Sequence, residues 1–233
     1  MGTAVGITAR ATPVDLDAAF ATIEQFEAEL SEWRPSSVTR RMVTDGPQRI
    51  SPETKGLFTL VEAVRQASRG GFDVGWRGAT LTVEGDLASA TGPIDLGGVL
   101  KGFLADRAAS ALLSRGVEDF VVDAAGDIVA HGHANGCGGW PVTVATEAGA
   151  WDLRLRNAAL STSAEDQQPD HIVDARTLTP VHCIGAVTVT APTGAEADAW
   201  STAFYATCGE VSLPSGVTAR WIDPAGKRHL RKG

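Results

Sequence analysis

Three stretches of the sequence carry side chains whose types and spacing suit chemistry. The first is residues 94–106, IDLGGVLKGFLAD. A carboxylate at Asp95 closes a strand, and Gly97 and Gly98 let the backbone approach a ligand. The amides that follow open a helix whose dipole favours an anion. Lys101 falls on the first turn of that helix, within reach of a phosphate. The second stretch is residues 196–202, EADAWST. On a helix, Asp198 and Thr202 stand one turn apart on one face with Ser201 beside them, hard oxygens suited to magnesium. The third is residues 171–177, HIVDART. There His171, an imidazole able to act as a base near neutral pH, precedes an Asp-x-Arg turn. Each stretch also has a plain structural reading: a strand–helix turn with a solvated lysine, the polar outer face of a capped helix, and a histidine beside a turn. A fourth group, His131, Gly132, His133 and Cys137, holds transition-metal ligand types but reads better as a glycine-rich hairpin with two exposed histidines.

These residues need elements to hold them. Val5, Ile7 and Ala9 alternate with Gly6 and Thr8, which predicts an opening strand. Asp15 is the expected N-cap of a helix whose apolar side is Leu16, Phe20, Ile23, Phe26 and Leu30. Residues 33–37 stop it. Ser51 and Pro52 start the next helix, with Leu57, Leu60, Val61 and Val64 inward, and Gly70–Gly71 ends it. Strands follow around 81–83 and 86–90. The Asp95 turn then leads into a helix with Leu100, Phe103, Leu104, Ala108, Ala111 and Leu112 inside, terminated by Gly116. Strands at 120–122 and 128–130 join around Gly126, and strands at 142–145 and 153–155 form another pair. A β-branched strand spans 184–190, a helix 193–208, and a last strand 219–222. Helices and strands do not alternate regularly, so the expected class is α+β, mostly antiparallel sheets packed with helices, in one domain over 1–233.

Composition bounds the function. The chain has 233 residues, 43% hydrophobic and 21% charged, with a net charge of -8. An acidic balance argues against a nucleic-acid partner. No stretch has the length of a transmembrane helix. The cysteines, Cys137, Cys183 and Cys208, match no disulfide framework or zinc spacing, which points to a reducing compartment. The first ten residues lack the basic-then-apolar run of a signal peptide, and no cysteine near the start could carry a lipid. As written the sequence reads as cytoplasmic, and as extracytoplasmic if a leader has been trimmed.

In order and spacing these stretches resemble the FAD:protein FMN transferases, the ApbE family. Its I-D-L-G-G-x-x-K-G-x-x-x-D motif is matched at 94–106. Its G-D-I-x-x-x-G segment is matched at Gly126, Asp127, Ile128 and Gly132. A T-S step is matched at Thr162 and Ser163, H-I-x-D-x-x-T at 171–177, V-T-V-x-A-P at 187–192, and A-D-A-x-x-T at 197–202. Met1-Gly2-Thr3, residues 31–37 (SEWRPSS) and Gly71-Phe72-Asp73 resemble further family segments, so the likeness runs colinearly along nearly the whole chain. The sequence departs from the pattern at Ala125, Ala164, Ala175 and Leu178, where the family has Gly, Gly, Pro and Gly. The segment between Phe72 and Asp95 is also shorter than in the family.

The resemblance implies an ApbE-like fold and a magnesium-dependent transferase. Its substrate would be FAD, and its partner an acceptor flavoprotein that receives FMN on a Thr or Ser as AMP leaves. Matched residue by residue, it implies Asp198, Thr202, Ser201 and a carbonyl at Gly98 as metal ligands. Met1, Trp33, Gly71, Phe72, Asp73, Asp95, Lys101 and Val173 would line the FAD pocket. Lys101 would neutralise charge during phosphoryl transfer and His171 would remove the acceptor's proton. The alternatives are a magnesium-dependent FAD pyrophosphatase giving FMN and AMP, and a non-catalytic FAD-binding protein.

Overall fold

The computed structural model describes residues 4–136, 138–165 and 170–233. In chain order the elements are β1 (Val5–Ala9), α1 (Pro13–Leu30), α2 (Val38–Thr44), β2 (Gln48–Arg49), α3 (Pro52–Ala67), β3 (Leu81–Glu84), β4 (Leu87–Ala90) and α4 (Leu100–Ser114). Then come β5 (Phe120–Ala124), β6 (Asp127–His131), β7 (Trp140–Thr146), β8 (Gly149–Leu155), β9 (Ala158–Ala164), β10 (Val173–Asp174) and β11 (Thr179–Pro180). The chain finishes with β12 (Ala186–Ala191), α5 (Gly194–Ala206), β13 (Thr218–Ile222) and β14 (Arg228–Lys232). The class is α+β with antiparallel sheets, as expected.

The main sheet has seven strands in the order β1-β5-β6-β9-β12-β13-β14, and each neighbouring pair is antiparallel. Helices α4 and α5 lie against one face, α4 over β5 and β6, α5 over β9 and β12. Outside them, α1 packs on α4 and α3 on α5. The opposite face is partly covered by the β7–β8 hairpin, where Val144 and Leu155 close over Ala130 and Leu160. Helix α5 is therefore enclosed. Ala197, Ala199, Ala203, Phe204 and Tyr205 are all buried, and so is the opposite side of the same helix. A helix apolar nearly all round belongs in a core, and the small residues let it sit close to its neighbours. The closest approach is to α4: a Cβ on Gly102 would lie 2.1 Å from the Gly194 carbonyl oxygen.

Side chains cap the starts of α1, α2, α3 and α5, whereas α4 begins after Val99 with no side-chain cap. Ser51 caps α3, with Pro52 at the first position, as read from the sequence. The cap of α1 is Thr12, not Asp15; Asp15 sits three residues on and returns a bond to the Thr12 amide, completing a capping box. Phe20, expected inside, lies on the outer side of α1, where Ala19 faces the core instead. Helix α2 and strands β2, β9, β10, β11 and β14 are additions that the hydrophobic pattern did not announce. Among the described residues no helix is long and apolar enough to cross a membrane.

The expectation of unpaired cysteines is corrected. Cys183 and Cys208 form a disulfide that ties the approach to β12 to the end of α5, while Cys137 lies outside the described residues. Closing a loop with a sequence separation of 25 removes conformational freedom from the unfolded chain. Reduction should thus cost about 3 kcal/mol of stability and lower the melting temperature by roughly 6–12 °C. Thermal melts with and without dithiothreitol, with thiols counted by mass spectrometry, check this; equal melts of the fully reduced and oxidised protein would contradict it.

Candidate active site

The enclosed helix α5 carries Asp198 and Thr202 on the side that faces α4. Asp198 is buried and its Oδ2 accepts the Gly102 N–H at 3.1 Å. One turn on, Thr202 donates to the Gly98 carbonyl oxygen at 3.4 Å. A Cβ on Gly98 would come within 2.9 Å of the Thr202 methyl, so glycine is what allows this contact. Asp198, Ser201 and Thr202 are thus an internal polar group, not the outer face of an amphipathic helix, while Glu196 completes the capping box with Thr193. Ser201 is fully buried: its hydroxyl donates to the Asp198 carbonyl and lies 3.1 Å from Ser161 Oγ and 2.9 Å from Ser163 Oγ, both on β9.

The first turn of α4 brings Lys101 to the same place, where its ammonium pairs with Asp127 at the start of β6. Asp127 is almost wholly buried. Burial works against the Lys101 ammonium, but Asp198 and Asp127 together outweigh it and raise its pKa above the usual lysine range. Burial pushes Asp127 up, with Lys101 and the Ser161 hydroxyl pulling it back. Asp198 is raised to about 7, first by burial and then by Asp127, against the pull of Lys101 and the Gly102 amide. Taking two carboxylates out of water is costly, and one ammonium offsets only part of that cost. Among the described residues this group is short of a cation. Asp198, Thr202 and the Gly98 carbonyl offer the hard oxygens a magnesium ion takes, so the residues fit such an ion.

A second band of expected residues adjoins this group. The Asp95 amide donates to the Val74 carbonyl at 2.8 Å, which lays residues 73–75 alongside 94–95. Asp95 Oδ1 accepts the Gly97 amide at 2.7 Å and Asp73 Oδ1 the Gly75 amide at 2.8 Å; both carboxylates shape tight turns, and Asp95 is exposed. Glu32 lies near Asp95, and burial followed by that carboxylate raises its pKa. Gly71 fits tightly against Thr207, the C-cap of α5, and its carbonyl accepts the Ala175 amide at 3.1 Å. That bond fastens the β10–β11 hairpin, which holds half-buried Val173 and the Asp174–Arg176 ion pair, to the same band. His171 stands exposed two residues ahead of Val173. Trp33 is 80% exposed, an indole surface on open display next to Glu32. Phe72 is a core side chain, so only its backbone can face a ligand. Met1 lies outside the described residues.

Several residues had no assigned role in the sequence. Asp127 and Ser163 fell within matched segments, but nothing in their spacing announced a buried ion pair or a hydroxyl cluster. Asp106 likewise closes a motif, and it accepts the Gly194 and Ala195 amides at 2.7 and 2.9 Å, holding the start of α5. His131 and His133 are half-buried rather than exposed, and His131 Nδ1 lies 2.6 Å from the Glu118 carbonyl. A separate group, Glu165, Asp170 and His182, has metal-ligand types in proximity. Its imidazole nitrogens already face the two carboxylates at 3.1 and 3.4 Å. Glu165 and His182 border a cavity of about 410 Å³ that shares no residue with the Asp198 group.

The sequence model of the ApbE family matches residues 1–82 and 74–212, most of the chain. The chain belongs to the ApbE family. Solved structures agree in fold. The flavin transferase ApbE from Vibrio cholerae superposes with a TM-score of 0.87 at 19% identity, covering 99% of this chain and 94% of that one. The flavinyl transferase ApbE from Pseudomonas stutzeri, in its apo form, gives 0.81 at 18% identity, with 98% and 94% covered. The ApbE protein from Thermotoga maritima gives 0.80 at 20%, with 98% and 93% covered. No curated protein matches the sequence. Two departures of this ApbE-family chain from the family pattern now have a structural context: Ala125 and Leu178, where glycine was expected, have φ of 54° and 56°. Both keep the left-handed turn and accept its strain.

Asp106 gives this ApbE-family site a pH signature. Burial raises its pKa to about 6, against the opposing Ala195 and Gly194 amides. The folded chain then binds this proton more tightly than the unfolded chain, so the contribution to stability is full below the ordinary aspartate value of 3.8 and is lost as pH rises through about 6. Relative to Asp106→Asn, the wild type should lose unfolding free energy between pH 4 and 7. Urea titrations across that range measure it, and a difference that stays constant with pH would show that another group titrates.

Proposed function

We propose that this chain is a magnesium-dependent FAD:protein FMN transferase. The observation that carries the reading is the buried Asp127–Lys101–Asp198 group, short of a cation, opening onto the oxygens of Thr202 and Gly98. Family membership and the shared fold support the reaction class, and the site residues argue for the metal. Asp198, Thr202 and the Gly98 carbonyl would hold magnesium, with Ser201 behind them keeping α5 and β9 in register. Bound there, magnesium supplies charge neutralisation at the pyrophosphate of FAD.

The chain's own residues supply the rest. Gly71, Asp73, Asp95, Val173 and the Phe72 backbone would form the strip along which FAD lies, with the Trp33 indole at its margin. Lys101 would neutralise developing phosphate charge. His171 would take the proton from the acceptor hydroxyl as its oxygen bonds to the FMN phosphorus. The bond from that phosphorus to the bridging oxygen breaks, and AMP departs with the electron pair. The acceptor would be a flavoprotein presenting a Thr or Ser. The exposure of Trp33 and Asp95 favours one second reading, in which water takes the acceptor's place and FAD is hydrolysed. The Cys183–Cys208 bond supports work in an oxidising compartment, outside the cytoplasm.

The test is AMP release from FAD and magnesium with and without a Thr-containing acceptor, alongside covalent flavin fluorescence on the acceptor. Asp198→Ala should lower AMP release by about 100-fold or more, equivalent to roughly 3 kcal/mol of lost stabilisation. Near-normal release by that variant would remove the reading, and release independent of acceptor would favour hydrolysis. His171→Gln should keep FAD binding and melting temperature while slowing transfer by roughly 10²–10⁴-fold in single-turnover measurements. Binding, stability and rate falling together would make His171 structural.

A further inference from the structure

Lys101 has a choice of partners. Its side chain starts on the first turn of α4 and is 31% exposed, so it could extend to solvent, to Asp127 or to Asp198. The nearby charges are accounted for by element: Asp127 and Asp123 on β6 and β5, Asp198 on α5, and Asp106 on α4. Asp198 is the carboxylate a divalent cation would need, and an ammonium resting on it is that cation's competitor. At a few ångströms the attraction between two unit charges is strong enough, even partly screened, to decide where a flexible lysine rests. The ammonium in fact makes its hydrogen bond to Asp127, while Asp198 acts on it through its charge without a direct bond. That carboxylate is rigidly placed: Asp127 pairs with Ala124 across the β5–β6 turn, its side chain is 1% exposed, and the Ser161 hydroxyl reaches it.

We propose that Asp127 is a positioning residue for cation binding, holding the Lys101 ammonium off Asp198 so that a divalent cation meets a carboxylate no ammonium occupies. The inference rests on the reading of Asp198, Thr202 and Gly98 as the cation site, and it goes further by giving the Lys101–Asp127 pair a task before any flavin arrives. With Asp127 neutralised, Lys101 turns to Asp198 and must be displaced before an ion can enter. With Lys101 also removed, Asp127 has nothing left to hold, and its loss no longer matters. A carboxylate that attracted the ion directly would matter in both backgrounds, so the two accounts separate in a double-mutant cycle.

The experiment titrates Mn²⁺ into the full-length, flavin-free protein by calorimetry, for the wild type, Asp127→Asn, Lys101→Met, the double variant and Asp198→Ala. Asp127→Asn should weaken Mn²⁺ binding by about 10-fold or more, while adding it to Lys101→Met should change affinity by less than about 2-fold. Unchanged affinity in Asp127→Asn, or equal weakening in both backgrounds, overturns the proposal and leaves the cation site standing. If Asp127→Asn alone does not fold, Lys101→Met and the double variant carry the test, since equal affinities support the proposal and unequal ones overturn it. Wild-type protein that binds no Mn²⁺, or binding that Asp198→Ala does not alter, removes the cation site and the proposal with it.

Discussion

Where α4 crosses α5, at Gly102 and Gly194, the two backbones are in contact with no side chain between them. The rest of the site follows from that separation. Because α4 comes so close, its Gly102 amide can satisfy Asp198 inside the core, and its Asp106 can satisfy the first amides of α5. A buried carboxylate without such donors would be expelled or protonated. The same approach delivers Lys101, on the first turn of α4, and Gly98, in the turn just before it, to the polar face of α5. Any larger residue at either glycine would push the helices apart and separate groups that the chemistry needs together.

Much of this was legible in the sequence. The strand–turn–helix at 94–106 and the helix at 193–208 stood out because their glycines, cap residues and apolar spacing all agreed with one local structure. Their polar members were also readable as a set, since Asp198 and Thr202 stand one turn apart on one face of that helix. What the sequence left ambiguous was which way that face points. A window of alanines, one tryptophan and a few polar residues suits a surface helix or an enclosed one. Only the packing of α3, α4 and the sheet around α5 decides between them.

Other features escaped for physical reasons. Strand β9, AALSTSA, is central in the sheet yet made of small residues with little strand preference, because α5 leaves no room for larger ones there. Asp127 lies in a matched segment, but its ion pair was not legible because its partner Lys101 lies 26 positions away. The pairing of Cys183 with Cys208 cannot be deduced from three cysteines in a line, since it depends on the end of α5 meeting the approach to β12. Ala125 and Leu178 looked like losses of glycine. The folded chain retains both left-handed turns, so these substitutions concern strain rather than shape.

The terminal strand of the main sheet has a consequence for how copies of this protein meet. Among the described residues strand β14 pairs with β13 alone, which leaves a row of backbone donors and acceptors along its other side. Such an open edge is a template for a foreign strand. Here it is written RHLRK, with Arg228 and Lys232 exposed at its two ends. Two of these edges brought together antiparallel would set like charges against each other before their backbones could bond. On a chain that is acidic overall, a short cationic hem on the sheet acts as a guard against fibrous stacking.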